Sequence, residues 1–258
     1  MIDREPEFIK YTPENPISPI PVVIFMGSRV TPRDYQLCGI TLAAEGFTTY
    51  CSNPNLKASD RPKKWGIFTD EEVIKQEAFA NIIETVGYPN ETGVKQIYGI
   101  GHSSAALYLL PVIEKNPDAF SKLILLAPAG IHPKMNPIAA VYKLWQTERE
   151  YTKDKRLLQQ LGLYAQDQSS NGIDWRSFIP EALTIATSVI TPELQLLIEN
   201  GLNAVVVYHS NDLRFPRKYF LSELDQSKVR MIEIIGRHGQ VKFDRAVSIR
   251  LAKLLKEQ

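Results

Sequence analysis

Three residues in this chain have the types and the spacing for acyl-transfer chemistry: Ser103, Asp212 and His238. A serine hydroxyl is a poor nucleophile at neutral pH. It becomes useful beside a base that takes its proton and above N–H groups that hold a developing oxyanion. Ser103 lies in Val94-Lys-Gln-Ile-Tyr-Gly-Ile-Gly-His-Ser103-Ser-Ala105, which reads as a strand running through a sharp turn into a helix. Gly101 and Ala105, two residues to either side, are small enough to let strand and helix approach. Asp212 follows the apolar run Asn203–His209, and His238 follows Lys228–Ile235. Sites in open parallel sheets form outside the carboxyl ends of the strands, so all three residues are expected on one edge. Their order, serine then acid then histidine, is used by one of the known triad folds. In that arrangement His238 takes the proton of Ser103 and later returns it to the leaving group. Asp212 holds the tautomer of His238 and stabilises its charged form.

An oxyanion also needs donors. The Ser104 N–H stands at the start of a helix, where the dipole favours negative charge. The turn Met26-Gly27-Ser28 after the first strand is expected to supply a second N–H, from Ser28.

Other polar residues have blander readings. His102 is flanked by the turn and reads as a packed neighbour. At most it is a wall of a substrate pocket, with Met26, Trp145 and Trp175. His132 reads as structural, and His209, at a strand end, as a core or supporting histidine. Asp225 reads as a helix-end or surface charge, and Asp167 and Asp174 as solvated. The strand ending at Ala127-Pro128 offers no carboxylate, which leaves Asp212 as the acid. The four histidines and two cysteines, Cys38 and Cys51, have no paired spacing, so no metal or redox motif is expected. Gly99-Ile-Gly101 lacks the third glycine of a dinucleotide loop. The reading calls for no cofactor.

The elements that must position these groups follow from pattern. A short strand is expected at Glu7–Tyr11, and a strand buried on both faces at Ile20–Met26. A helix over Pro32–Glu45 has Thr31 as N-cap and Gly46 as stop. Phe47–Cys51 reads as a strand, Ser52–Phe68 as a loop, and Thr69–Val86 as a helix capped by Thr69. Pro111, well inside the helix after Ser103, should kink it or break it early. Phe120–Ala127 is the next strand. Between His132 and Asn200 the composition turns aromatic and charged, with helices expected at Pro137–Thr147, Lys153–Gly162, Pro180–Ser188 and Thr191–Asn200. A closing helix over Gln240–Lys256 sets Phe243, Val247, Leu251 and Leu254 on one face. Strands alternating with helices argue for an α/β fold with a mostly parallel sheet covered on both sides. The expectation is one domain over residues 1–258, with 132–200 as a helical cap inserted within it.

The 258 residues are 44% hydrophobic and 23% charged, with a formal net charge of +1. Nothing there suggests a nucleic-acid partner or an anionic membrane. Neither a signal-peptide pattern at the start nor an apolar run long enough to span a bilayer is seen, so a reduced cytoplasmic setting is expected. The partner expected is a small-molecule acyl substrate; oligomeric state is left open.

With these residues in hand, the chain resembles the α/β-hydrolase superfamily from about Ile20 to its C-terminus. Gly101-His-Ser103-Ser-Ala105 looks like its nucleophile elbow, Ser210-Asn-Asp212 with Pro216 like its acid segment, and Gly236-Arg-His238 like its histidine segment. Three departures stand out, one of them Ala105 where the second small residue is usually glycine. Met26-Gly27 replaces the His-Gly that many members carry, and Ser52-Asn-Pro-Asn-Leu replaces a common Asp-x-x-Gly-x-Gly loop. The resemblance implies a cofactor-independent serine hydrolase with a helical cap. Its substrate would be a carboxylic ester, or the related thioester or lactone. The alternatives on this fold are a carbon–carbon hydrolase or lyase, and a non-hydrolytic ligand receptor.

Overall fold

Val22, Val23, Ile24 and Phe25 are each at most 1% exposed, because this run packs helices on both of its faces. They form β2 in a computed structural model that describes residues 8–27, 30–52, 68–133, 136, 138–139, 141–147, 149, 175–242 and 244–257. The strands are β1 (Phe8–Tyr11), β2 (Val22–Phe25), β3 (Thr49–Ser52), β4 (Tyr88–Pro89), β5 (Lys95–His102), β6 (Phe120–Leu126), β7 (Ala204–His209) and β8 (Arg230–Ile234). They join in the order β1-β3-β2-β5-β6-β7-β8, with β4 paired to β5. β1 and β4 pair antiparallel and the other pairings are parallel. The carboxyl ends of β5, β6, β7 and β8 therefore share one edge of the sheet.

Side chains alternate across the sheet, and the two faces have separate cores. Val23 and Phe25 pack with Phe79 of α2 (Phe68–Val86) and Leu109 of α3 (Ala105–Lys115). Val22 and Ile24 pack with Leu42 of α1 (Gln36–Ala44) and Leu251 of α8 (Arg245–Lys256). Between β6 and β7 lie a helix whose described residues include 141–147 (α4), then α5 (Trp175–Thr187) and α6 (Thr191–Glu199). α7 (Arg217–Glu223) joins β7 to β8. Lys122, buried inside β6, is tolerated because its ammonium reaches the C-terminal end of α8. There it donates to the Leu254 carbonyl at 2.8 Å and to that of Glu257.

Several boundaries differ from the sequence pattern, each for a local reason. The first helix opens with a 3-10 turn, Pro32–Tyr35, where Asp34 Oδ2 accepts from the Thr31 N–H at 2.7 Å, and α1 begins only afterwards. α2 starts at Phe68, so Thr69 lies within its first turn rather than capping it. α3 runs unbroken through Pro111. Leu109, Leu110, Val112 and Ile113 are buried around it, and that packing outweighs the one missing N–H. α5 starts at Trp175, upstream of Pro180, so that proline does not open the helix. The closing segment is a 3-10 turn at Gln240–Lys242 and then α8, because Asp244 interposes a cap by accepting from the Ala246 N–H at 2.8 Å. The two-residue β4 has no sequence signal of its own. The helix expected at Lys153–Gly162, together with Asp167, Asp174 and Phe243, lies outside the described residues. Among the described residues no helix is long and apolar enough to cross a membrane. Cys38 and Cys51 are buried free thiols.

Candidate active site

β5 delivers Ser103 into a turn that most residues avoid. Its φ is +57°, in the left-handed region, where an L side chain costs about 1–2 kcal/mol. The turn survives because the exit of β6 grips the peptide on both sides. The Ser103 N–H donates to Leu126 O at 3.0 Å, and the Ser103 carbonyl accepts from the Ala129 N–H at 3.0 Å. Two glycines make room. A Cβ at Gly101 would come within 2.6 Å of Leu109 Cδ1, so glycine lets α3 fold back on β5 without moving that side chain. A Cβ at Gly27 would stand 3.0 Å from Ser103 Cβ and 3.5 Å from its Oγ, which keeps the turn after β2 narrow beside the hydroxyl. Ala105 is fully buried as the first residue of α3.

Asp212 follows β7 and is 3% exposed. Its Oδ1 accepts from the Arg214 N–H at 2.8 Å and the Phe215 N–H at 3.0 Å, while Oδ2 accepts from His238 Nδ1 at 2.7 Å. Burial by itself would raise its pKa. His238, the hydrogen bonds from His238 and Phe215, and the Arg214 charge outweigh burial and hold the carboxyl below its ordinary value. His238 follows β8, and its Nε2 accepts from Ser103 Oγ at 2.8 Å. Burial depresses its pKa below 6.5, the Asp212 carboxylate opposes that, and the Arg214 and Lys242 charges reinforce it. The neutral imidazole is thus the resting form at neutral pH, the form that can accept a proton. The structure brings Ser103, His238 and Asp212 into one continuous hydrogen-bonded relay. Chemically, such a relay can deprotonate a hydroxyl as it attacks an electrophilic carbon.

The remaining sequence candidates are placed as follows. Ser104 is the N-cap residue of α3, beside the nucleophile. Ser28 lies outside the described residues. Met26 is 1% exposed and packs in the core with Ile24, Val30 and Tyr35, so it is core rather than pocket wall. His102 is 3% exposed, and both of its ring nitrogens are engaged by protein. Nδ1 faces Tyr35 Oη at 2.5 Å and Nε2 faces the His238 carbonyl at 2.9 Å, which corrects the pocket-wall expectation in favour of a packed neighbour. Trp145 packs, half-buried, against the core on the α2–α3 face, and the Trp175 side chain lies outside the described residues. His132 is buried, with Nε2 2.7 Å from Ile185 O in α5, a structural tie. His209 is fully buried, and burial together with the nearby His238 lowers its pKa to about 4, so it sits neutral in the core. Asp225 is exposed. Among the described residues no group of three or more His, Cys, Asp or Glu could hold a metal ion.

Sequence reasoning missed the close approach of Gly27 to Ser103, Tyr35, and the two amides on Asp212 Oδ1. A glycine directly after a buried strand was the available signal for the first; Tyr35 carries none. Among the contacts that link α4 to the acid side of the sheet, Arg214 Nε donates to Thr147 Oγ1 at 3.3 Å, and Lys143 Nζ to Tyr219 Oη at 3.2 Å. A cleft of about 520 Å³ beside the acid loop is walled by Asn211, Leu213, Arg217, Lys218 and Leu221. Asp212, with its neighbours Ser210 and Pro216, also lines it, whereas Ser103 and His238 do not.

No protein-family model and no curated protein matches the sequence. Solved structures do match in shape. An esterase from Exiguobacterium antarcticum superposes with a TM-score of 0.66 at 13% identity, over 97% of this chain and 95% of that one. The thioesterase domain from the curacin biosynthetic pathway gives 0.63 at 16% identity, over 97% and 94%. An α/β hydrolase enzyme from the sediment metagenome of the Mar Chica lagoon, Morocco, gives 0.59 at 12%, over 98% and 96%. At these identities the likeness is one of fold.

Proposed function

We propose that this chain, which has the α/β-hydrolase fold, is a serine hydrolase that cleaves a carboxylic ester through an acyl-Ser103 intermediate. The observation that carries the reading is the relay itself, 2.8 Å from Ser103 to His238 and 2.7 Å from His238 to Asp212, closed around a serine at φ +57°. Ser103 Oγ attacks the carbonyl carbon as its proton passes to His238 Nε2. The carbonyl oxygen becomes an oxyanion held by the Ser104 N–H, with Ser28 the expected second donor. Collapse breaks the bond to the leaving oxygen, which takes the proton from His238. Water then attacks the acyl carbon, gives its proton to His238 and releases the acid, and the proton returns to Ser103. A thioester or lactone passes through the same steps. Residues 132–200, largely helical in their described parts, are read as a cap that bounds the substrate, supported by the contacts of Thr147 and Lys143 with the acid side.

The test is covalent and direct. A fluorophosphonate should modify Ser103, located by mass spectrometry of the peptide, and a panel of esters, thioesters and lactones should show turnover. Labelling at another residue, or a ligand bound tightly with no member of the panel turned over, would sink the hydrolase reading.

The depressed pKa of His238 sets a pH dependence. The base works only when neutral, so activity is present above its pKa and is lost as pH falls through it. The acid limb of kcat/KM should therefore have its midpoint below 6.5, the ordinary histidine value. A midpoint at or above that value would mean that the Asp212 carboxylate outweighs burial.

A further inference from the structure

We propose that His102, held in turn by Tyr35, is a positioning residue for His238, fixing the main chain of the loop that carries the base. The inference rests on the acyl-transfer reading of the relay. His102 and Ser103 are consecutive residues at the end of β5, and each binds a different part of the same histidine. Ser103 Oγ meets the His238 side chain at 2.8 Å, and His102 Nε2 meets the His238 main-chain carbonyl at 2.9 Å. A carbonyl oxygen only accepts, so Nε2 of His102 carries the hydrogen and donates. A neutral imidazole has one such hydrogen. Nδ1 is then the acceptor, and the Tyr35 phenol donates to it at 2.5 Å. Tyr35 is fully buried and His102 is 3% exposed, so the Tyr35 contact is shielded from water.

The neutral form is the one this geometry needs. Burial, with His238 and Lys242 nearby, keeps His102 uncharged well below the ordinary histidine range. A cation here, with its ring centroid 5.0 Å from that of His238, would oppose the imidazolium that forms during turnover.

The loop has reason to need such an anchor. It leaves β8, the edge strand, and Ile235 just before it is 82% exposed. Among its other ties, the Asn211 N–H donates to Gly236 O at 3.0 Å and the Arg237 N–H to Gln240 Oε1 at 2.9 Å. The His102 bond instead spans 136 positions of sequence and refers the base to the strand that bears the nucleophile. Displacing a base by about 1 Å can cost on the order of 100-fold in rate.

The experiment compares His102→Phe, His102→Gln and Tyr35→Phe with the unaltered protein. It reads the rate of fluorophosphonate labelling at Ser103, kcat and KM on p-nitrophenyl butyrate, and the melting temperature. His102→Phe fills the space without a donor and should slow both labelling and kcat by roughly 10- to 100-fold, with KM changed less than about threefold. Gln places an N–H near the former Nε2 and should recover most of that loss. Tyr35→Phe should fall between. Equal labelling rates in the Phe and unaltered proteins overturn the proposal, as does Gln no faster than Phe when both melt normally. If His102→Phe does not fold, the outcome rests on Tyr35→Phe, and a Tyr35→Phe protein that melts normally and labels as fast as the unaltered protein overturns the proposal. Failure of the unaltered protein to label at Ser103 is a separate result, which strikes the hydrolase reading instead.

Discussion

Replacing Ser103 by glycine is expected to abolish turnover and, in the same molecule, to raise stability. Loss of a triad serine lowers kcat by about 10⁶-fold in a comparable relay, because His238 is left with nothing to deprotonate. The stability gain has a different origin. Ser103 sits at φ +57°, which costs a side chain about 1–2 kcal/mol and glycine almost nothing. Glycine also loosens the unfolded chain, which takes back about 0.4–1 kcal/mol. The central values leave a net gain of about 0.8 kcal/mol, or roughly 2–3 °C in melting temperature for a chain near this size. Ser103→Ala is the control. It removes the same hydroxyl but keeps a Cβ at the same φ, so it should lose activity without the gain. Thermal unfolding of the two variants side by side isolates the strain. Equal melting temperatures would show that the turn is unstrained, and residual turnover near the unaltered rate would place the nucleophile elsewhere.

The second large effect is expected at Asp212→Asn, about a 10⁴-fold fall in kcat with the fold retained. The geometry dictates how the amide must sit. Oδ1 of Asp212 accepts from two main-chain N–H groups, Arg214 at 2.8 Å and Phe215 at 3.0 Å. An asparagine must keep its oxygen there, so its NH₂ turns toward His238 Nδ1. That nitrogen then has to accept, and the ring hydrogen moves to Nε2. An Nε2–H donates to Ser103 rather than accepting from it, so the base is lost while every heavy atom stays in place. Circular dichroism and melting temperature should be close to those of the unaltered protein, and kcat should carry the loss. A fall of less than about tenfold would mean that another group orients His238.

Both effects concern residues that the chain itself marks. Ser103 could be singled out because a strand, a turn with small flanking residues and a helix follow one another within a dozen positions. Asp212 and His238 could be placed because each comes just after a run of aliphatic residues, and parallel strands bring their ends to one edge. The errors came where two local signals compete. Pro180 reads as a helix start, yet α5 begins at Trp175. The apolar face from Gln240 to Lys256 reads as one helix, yet Asp244 caps a new one after a 3-10 turn. Pro111 reads as a breaker, yet the buried residues around it keep α3 continuous. Met26 reads as a pocket wall from its place beside the turn, and the packing of α1 against that face makes it core instead.

The sequence by itself determined the α/β character, the strand ends, and the three residues of the relay with their order. Those follow from sterics and side-chain periodicity within a few residues of each site. Only the tertiary structure decided that β3 lies between β1 and β2, that Gly27 closes on Ser103, and that Tyr35 and His102 reach the carbonyl of His238. A hydrogen bond tolerates errors of a few tenths of an ångström. Across the 136 positions from His102 to His238, that accuracy is the sum of three strand pairings and the packing of two cores, which no local pattern encodes.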